Sequence, residues 1–167
     1  MTIVFAAALV FIFYTYVGYP VLLIIIGFFF KRRPHPPPRP LPRISLVIPA
    51  YNEEAVIERK LENSLSLKYP SDKLTIILAS DGSSDRTVAI ARKYRERGIT
   101  LFDFPRHRGK MSVINRACAR LEGDLIVFTD SSAIFRKDAL FRLIEPFGDD
   151  SVGAVSGALI LKEEERN

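Results

Sequence analysis

Short apolar runs alternate with helical patterns over most of this chain. Four runs are rich in β-branched or aromatic residues and predict buried strands, at 44–48, 74–79, 99–104 and 125–128. Between them, apolar residues recur at helical spacing, as at Ile57, Leu61 and Leu65. Further patterns predict helices at about 85–97, 111–121 and 137–147, and one more strand, broken by two glycines, within 152–161. This order predicts an α/β fold, with a mostly parallel sheet and helices on both faces.

The first 30 residues form a different pattern, because they contain no charged side chain. Lys31, Arg32 and Arg33 follow immediately. About 20 apolar residues span a bilayer, so the run is long enough to cross one. The alternative is a cleaved signal peptide, but no basic residue precedes the run and no small-residue cleavage site closes it. We therefore predict a retained transmembrane helix over residues 1–30.

The positive charge of the chain is concentrated directly after this helix. The chain has 24 Lys and Arg against 19 Asp and Glu, and the acid-free segment 31–43 holds the whole excess. By the positive-inside tendency, we expect the globular part on the cytoplasmic side of the inner (plasma) membrane. Anionic lipid headgroups are natural partners for such a basic collar. The charge is therefore a juxtamembrane feature, and we expect no nucleic-acid partner.

The composition predicts three segments: a transmembrane helix at 1–30, a basic proline-rich linker at 31–43 and a globular domain at 44–167. Six of the eleven prolines lie in 34–42, which is typical of a stiff, extended spacer. The single cysteine, Cys118, excludes an intrachain disulfide. The two histidines, His35 and His107, form no zinc-type cluster with it in the sequence.

Acidic residues follow three of the predicted strands: Glu53 and Glu54, then Asp81, then Asp130. Because ligands of open α/β sheets bind at the carboxyl ends of the strands, we expect these turns to form one crevice. A basic loop ending at Lys110 opens the helix before the last strand and supplies a cation and a helix N-terminus for phosphate. Considered by itself, Asp130 has a second interpretation, in which it caps the segment that follows the strand. The combination predicts a nucleotide-diphosphate site, built without a P-loop or a dinucleotide-binding fingerprint.

Four motifs in this region together resemble those of the family 2 glycosyltransferases, which have the GT-A fold. The motifs are Ile48–Glu54, Ser80–Asp85, Arg108–Lys110 with Asn115, and Phe128–Ser132. They match in order and spacing over about residues 44–160, and the N-terminal helix is similar to that of membrane-bound bacterial members. The resemblance implies transfer of a sugar, with inversion, from a nucleotide-diphosphate sugar, usually UDP-linked. The acceptor would be a glycan or a lipid-linked sugar, and the product a cell-surface glycan or glycolipid.

The resemblance also implies which residues hold the nucleoside. Asp81 would pair with the uracil, and Gly82 lets the chain turn sharply, which we expect to expose that carboxylate. Pro49, Tyr51 and Glu53 would line the nucleoside pocket.

The resemblance further implies that Lys110 contacts the diphosphate and that Asp130 binds a divalent metal, Mg²⁺ or Mn²⁺. Where the family usually has Asp-x-Asp, this chain has Asp130-Ser131-Ser132. A hydroxyl lacks the charge of a carboxylate, so we expect Ser132 to be a weaker metal ligand. The metal should therefore bind well only together with nucleotide, whose phosphate oxygens complete the ligand set.

The family's catalytic base and its acceptor motif lie further along than Asn167. The chain thus resembles the N-terminal, donor-binding part of a longer enzyme, and we expect it to bind the donor without transferring the sugar. His107 is the alternative base, although it lies where diphosphate contacts are expected. Two other functions are a membrane-anchored nucleotide-binding module without transfer activity and a nucleotidyltransferase. The latter normally has a glycine-rich basic loop after the first strand, where this chain has Pro49-Ala50-Tyr51-Asn52.

Overall fold

The computed structural model describes residues 1–29, 36–158 and 160. The chain divides into two compact units, Met1–Pro34 and His35–Asn167, and each is described by itself. Lys31, Arg32, Arg33 and His35 lie outside the described residues.

The first unit is one helical segment, Thr2–Phe29. Within the described residues, it is the one helix long and apolar enough to cross a membrane. It consists of α1 (Thr2–Phe13), a π-helical stretch (Tyr14–Gly18) and α2 (Tyr19–Phe29). The π-helical stretch ends two residues before Pro20, which has no amide hydrogen to donate, and the Tyr19 amide donates to the Tyr14 carbonyl. The change of helical register at this proline lets the helix continue past a lost hydrogen bond.

Among the described residues of the second unit, four parallel strands form a sheet. They are β1 (Ile44–Ala50), β2 (Leu74–Asp81), β3 (Ile99–Phe104) and β4 (Leu125–Phe128). Their spatial order is β3-β2-β1-β4, so β2 and β1 lie at the centre. Ile44 is level with Leu74 on one side and with Leu125 on the other. The carboxyl ends of β1, β2 and β4 therefore meet at one edge of the sheet.

Helices connect the strands and cover both faces of the sheet. They are α3 (Ile57–Leu65), α4 (Thr87–Lys93), α5 (Lys110–Cys118) and α6 (Ala139–Ile144), with 3₁₀ turns at Ser71–Lys73, Arg95–Arg97 and Glu145–Gly148. Because side chains alternate along a strand, Leu46 and Ile48 of β1 face a core shared with Leu61 and Leu140. Val47, between them, faces the opposite core, which α5 completes. This arrangement confirms the predicted α/β fold with a parallel sheet.

The last residues of the predicted linker lie on the globular unit. The Tyr69 hydroxyl donates to the Pro42 carbonyl at 2.7 Å, and Lys73 Nζ donates to the Leu41 carbonyl at 2.8 Å. Leu41 also packs against the larger core. The end of this segment is therefore fixed to the domain.

Two predictions about strands are wrong. The run at 125–128 was expected to be fully buried, but Ile126 and Phe128 are 42% and 51% exposed. The reason is that β4 is an edge strand among the described residues, and its second face is uncovered. The strand expected within 152–161 is also absent from the described residues 152–158 and 160. Gly153 and Gly157 interrupt this segment, and the free edge of β4 does not pair with it.

Candidate functional site

A cleft of about 390 Å³ lies at the edge where β1, β2 and β4 end. All seven residues predicted from the sequence to form the site line this cleft: Pro49, Tyr51, Glu53, Asp81, Lys110, Asp130 and Ser132. Ala50, His107, Val113 and Ser131 complete its walls. The structure therefore brings together residues that lie up to 83 positions apart in the sequence, from Pro49 to Ser132.

The turn after β1 is held by the turn after β2. The Asn52 amide donates to Ser83 Oγ at 3.2 Å, and Asn52 Oδ1 accepts from the Ser84 amide at 2.8 Å. The Glu53 amide donates to Thr87 Oγ1 at 2.8 Å. Asn52 has a positive φ of 53°, which asparagine tolerates better than most residues. It does not cap α3, which begins five residues later; instead its side chain fixes the two turns relative to each other.

The adjacent acidic residues Glu53 and Glu54 have different surroundings. Glu53 lines the cleft. Glu54 is outside it and accepts hydrogen bonds from the amide and the Nε of Arg86 at 3.0 and 3.2 Å. These bonds to Arg86 lower the pKa of the Glu54 carboxyl below its usual value. Of the predicted pair, only Glu53 is therefore placed to meet a ligand in the cleft.

Asp81 ends β2 and is only 2% exposed, so the expectation of an exposed carboxylate is wrong. The basic loop between β3 and α5 covers it. The Arg108 amide donates to both carboxylate oxygens at 3.1 Å, and the Gly109 amide donates to Oδ2 at 2.7 Å. The loop also lies against Gly82, where a Cβ would be 2.6 Å from the His107 amide nitrogen. Asp81 thus organises the loop as well as lining the cleft.

His107 is at the same end of the cleft as Asp81 and Tyr51. Its Nδ1 lies 2.9 Å from Asp81 Oδ2 and 3.2 Å from the Asp81 carbonyl oxygen. Because both neighbours are acceptors, Nδ1 carries the proton and donates. The imidazole stacks on the Tyr51 ring, with 3.9 Å between centroids and 28° between planes. His107 was expected near the diphosphate, and instead it contacts two residues predicted to hold the nucleoside.

A cation and a carboxylate face each other in the same cleft. Lys110 is the first residue of α5, and its Nζ forms an ion pair with Asp130 Oδ1. Both side chains are well exposed to solvent. Ser131, next to Asp130, donates from its hydroxyl to the Pro49 carbonyl at 3.0 Å, which attaches the turn after β4 to β1. The pair is accessible to an incoming ligand and is held on a fixed turn.

The oxygen ligands beside this ion pair suit a hard divalent cation. Asp130 presents an exposed carboxylate that already attracts a cation, the Lys110 ammonium, and Ser132 also lines the cleft. Among the described residues, there is no group of three or more His, Cys, Asp or Glu side chains that would hold a metal by themselves. Mg²⁺ and Mn²⁺ are commonly held by one or two carboxylates together with phosphate and water. The residues present therefore fit a metal whose remaining ligands come from the substrate.

Lys60 of α3 is a buried cation directly behind this turn. Its ammonium donates to Thr129 Oγ1 at 2.7 Å and to the Ala133 carbonyl, and it lies 4.4 Å from the centre of the Phe135 ring. Burial lowers the pKa of Lys60 to about 8, and the nearby Asp130 charge opposes this shift. Lys60 and Asn63, which bonds the Phe135 backbone at both its amide and its carbonyl, hold the segment that follows β4.

The sequence interpretation missed three supporting side chains: Lys60, Thr87 and Ser131. Lys60 follows Ile57 by three positions and therefore lies on the buried face of α3, which is a signal that a buried lysine was to be expected. Thr87 and Ser131 lie in hydroxyl-rich turns, and the sequence does not show which hydroxyl reaches a neighbouring turn.

The parallel α/β sheet, with carboxylates after its strands and a cation at a helix N-terminus beside them, fits a nucleotide-diphosphate site. Residues 45–167 match the family model described as "Glycosyl transferase family 2", and the chain therefore belongs to this family. This confirms the family inferred from the four motifs.

Curated relatives of this chain include a probable glycosyltransferase and a polysaccharide synthase, both bacterial. The chain is 36% identical over 127 residues to "Probable glycosyltransferase YdaM" of Bacillus subtilis, covering 70% of this chain and 29% of the relative. It is 36% identical over 116 residues to "Poly-beta-1,6-N-acetyl-D-glucosamine synthase" of Staphylococcus aureus, covering 68% of this chain and 28% of the relative. The chain thus spans less than a third of the length of these relatives.

Solved structures of glycosyltransferases are similar to this chain. A mannosyltransferase from Pyrobaculum calidifontis, in complex with GDP-Man and Mn²⁺, superimposes with a TM-score of 0.73 at 30% identity, covering 84% of this chain and 43% of that one. S. aureus TarS 1-349, in complex with UDP-GlcNAc, superimposes with a TM-score of 0.55 at 26% identity, covering 60% and 29%. Divalent metal and nucleotide-sugar donors are thus found together with this fold.

Proposed function

We propose that this chain is the donor-binding part of a membrane-anchored, inverting glycosyltransferase that uses a UDP-sugar. The observation that carries the proposal is that one cleft, at the carboxyl edge of the sheet, collects the seven residues of the predicted site. An apolar helix of 28 residues, with basic residues following it in the sequence, supports an anchor in the plasma membrane. The acceptor is then a glycan or lipid-linked sugar at the cytoplasmic face.

Each part of the cleft meets a different part of the donor in this proposal. Pro49, Tyr51 and Glu53 line the nucleoside end, where an aromatic ring offers a stacking surface for a base. Lys110, at the N-terminus of α5, places a positive charge beside the diphosphate. A divalent metal held by Asp130, with Ser132 as a weaker ligand, would neutralise negative charge on the diphosphate leaving group. These residues bind and orient the donor and stabilise the charge that develops on it.

UDP-GlcNAc is the first donor to test. The poly-N-acetylglucosamine synthase is 36% identical to this chain, and TarS was solved with UDP-GlcNAc. The mannosyltransferase, which was solved with GDP-Man, provides the alternative donor. We propose UDP over GDP, and a comparison of the two nucleotides is part of the experiment.

The test is calorimetry on the full chain in detergent micelles, with UDP, UDP-GlcNAc and GDP-mannose, each with and without Mn²⁺. We expect UDP and UDP-GlcNAc to bind, Mn²⁺ to strengthen their binding, and Asp130→Ala to remove the effect of Mn²⁺. No binding of any nucleotide would contradict the proposal, and metal-independent binding of UDP would contradict the role of Asp130. A radiolabelled transfer assay on the same sample decides whether these residues also transfer the sugar; such transfer would make His107 the first candidate base to mutate.

Asp81→Ala tests the nucleobase end separately. The carboxylate lies at the cleft wall, and a hydrogen bond to a charged group contributes about 1.5–3 kcal/mol, so we expect UDP affinity to fall by that amount. Asp103→Ala is the matched control, because Asp103 lies on the neighbouring strand β3 and forms a surface ion pair with Arg92. Unchanged UDP affinity in the Asp81 variant, measured by calorimetry, would remove Asp81 from the site.

A further inference from the structure

We propose that His107 occupies the nucleobase position of the cleft, so that the donor must displace its imidazole in order to bind. The inference rests on the proposed function and adds a residue that sets the affinity for the base. Two features of the cleft suit a nucleobase, an aromatic face on Tyr51 and the carboxylate of Asp81. His107 engages both of them at once.

The first contact is the stack on Tyr51. The two rings are nearly parallel, at 28°, and 3.9 Å between centroids is the separation of rings in direct contact. No planar base fits between rings at this distance. A base that stacks on this face of Tyr51 must therefore take the place of the imidazole.

The second contact is with Asp81. The protonated Nδ1 of His107 lies 2.9 Å from Oδ2 and 3.2 Å from the carbonyl oxygen of this residue. A planar ring that stacks on an aromatic face and donates an N–H to a carboxylate reproduces the contacts of a nucleobase. Uracil has one ring N–H available in a nucleotide, which suits the same acceptor. The imidazole and the base thus compete for one position.

The basic loop can stay in place when the imidazole leaves. The amides of Arg108 and Gly109 hold the Asp81 carboxylate independently of the His107 side chain. The His107 backbone is also fixed, because it packs directly against Gly82. The imidazole itself is half exposed to solvent and has room to turn outward. Displacement is therefore a rotation of one side chain, with the loop backbone kept in place.

Removal of the imidazole should tighten nucleotide binding, because the donor no longer competes with it. We expect His107→Ala to bind UDP about fivefold more tightly than the unmodified chain or better, because both an aromatic contact and a hydrogen bond no longer compete with the base. His107→Phe keeps a ring that stacks on Tyr51 and removes the hydrogen bond to Asp81. His107→Asn removes the ring and keeps a side-chain N–H that can donate to Asp81. Each should show a smaller gain than alanine. Calorimetry on the full chain in micelles, with saturating Mn²⁺, gives the four affinities.

NMR of the histidine ring nitrogens gives a second measurement. The chain has only two histidines, and His35→Ala assigns the remaining imidazole signal to His107. We expect this signal to shift on addition of UDP and to remain in place on addition of Mg²⁺ alone, which is diamagnetic and does not broaden the signal. A His107→Ala variant that binds UDP equally or more weakly would overturn the inference while leaving the proposed function intact, and so would an imidazole signal that UDP does not move. If the unmodified chain binds no nucleotide, the proposed function fails, and the inference fails with it.

Discussion

At the scale of single residues, a pair of opposite charges in the cleft lies where the proposed ligands would bind. These are Lys110, the residue proposed for the diphosphate, and Asp130, the residue proposed for the metal. Phosphate and metal would separate this pair by each taking one partner. Binding of the two ligands should therefore be mutually reinforcing, since either ligand alone must disrupt an ion pair.

Replacement of Lys110 tests this coupling. Lys110→Gln frees the Asp130 carboxylate, so we expect Mn²⁺ to bind more tightly without nucleotide, by up to about fivefold, since an exposed ion pair contributes at most about 1 kcal/mol. UDP should bind more weakly to the same variant. Lys93→Gln removes an equal charge from the exposed end of α4 and should change neither affinity. Electron paramagnetic resonance of free Mn²⁺ gives the Mn²⁺ affinity of each variant. An unchanged Mn²⁺ affinity in Lys110→Gln would refute the coupling.

Lys60 makes stability depend on pH, and the sign follows from its pKa. Burial lowers this pKa from 10.5 to about 8 in the folded state. Between these two values the unfolded chain binds more protons than the folded chain, so the free energy of unfolding rises as the pH rises from about 8 to 10.5. Below pH 8 the lysine is charged in both states, and the cost of burying the charge is constant. The whole shift corresponds to about 3 kcal/mol.

The Lys60→Met variant isolates this contribution. Urea unfolding of the globular unit at several pH values, followed by near-ultraviolet circular dichroism, should show the rise in the unmodified chain and lose it in the variant. The comparison between the two chains is needed because Tyr94, whose pKa burial and Glu62 raise to about 12, lowers stability with increasing pH above about 10 in both. Lys68→Met, at an exposed lysine, should keep the rise. Parallel stability curves for the unmodified chain and Lys60→Met would show that Lys60 keeps its ordinary pKa.

At the scale of elements, the cleft is built from turns that contact one another. One close contact is between Gly82 and the backbone of the basic loop. The φ of Gly82 is 71°, and an added Cβ would lie 2.6 Å from the His107 amide nitrogen and 2.9 Å from the Arg106 carbonyl carbon. Gly82→Ala must therefore push the basic loop away from Asp81, and we expect at least a tenfold loss of UDP affinity. Gly98 also has a positive φ, 98°, but has no atom within 4 Å of an added Cβ. Gly98→Ala should thus cost about 1 kcal/mol of stability from backbone strain and leave UDP binding unchanged in calorimetry.

The elements themselves could be predicted largely from the sequence, because strands and helices leave local patterns. The third strand lies at 99–104 as predicted, and Ile57, Leu61 and Leu65 lie on α3. The half-exposed state of β4 could not be predicted, because a run of four apolar residues is the same sequence pattern in an edge strand and in a central strand. The burial of Asp81 was missed for a similar reason: it depends on a loop 27 residues later in the chain, and no local pattern reports such a contact.

At the scale of the whole molecule, positive charge is segregated by segment. The net charge of +5 comes from 31–43, so the globular unit that follows has no general excess of cations to attract a nucleotide diphosphate. Attraction to the donor must come from local groups such as Lys110 and the N-terminus of α5. Salt should therefore weaken two interactions separately: that of the basic segment 31–43 with the membrane surface, and that of the cleft with a nucleotide.

The orientation of the chain in the membrane is the last prediction. A UDP-sugar, the donor we propose, carries charges that cannot cross the hydrocarbon core unaided, so the proposal requires the cleft to face the compartment in which such donors are made, the cytoplasm. The basic residues after the apolar helix favour the same orientation. We expect external protease to leave the globular unit intact in right-side-out spheroplasts and to digest it in inside-out vesicles, with a periplasmic and a cytoplasmic marker protein as controls.

A variant that moves the positive charge, by neutralising Lys31, Arg32 and Arg33 and inserting three lysines after Met1, should make a fraction of the molecules sensitive to protease from outside. Digestion of the unmodified chain from outside would place the cleft away from its donor and overturn both the topology and the proposed use of a cytoplasmic UDP-sugar.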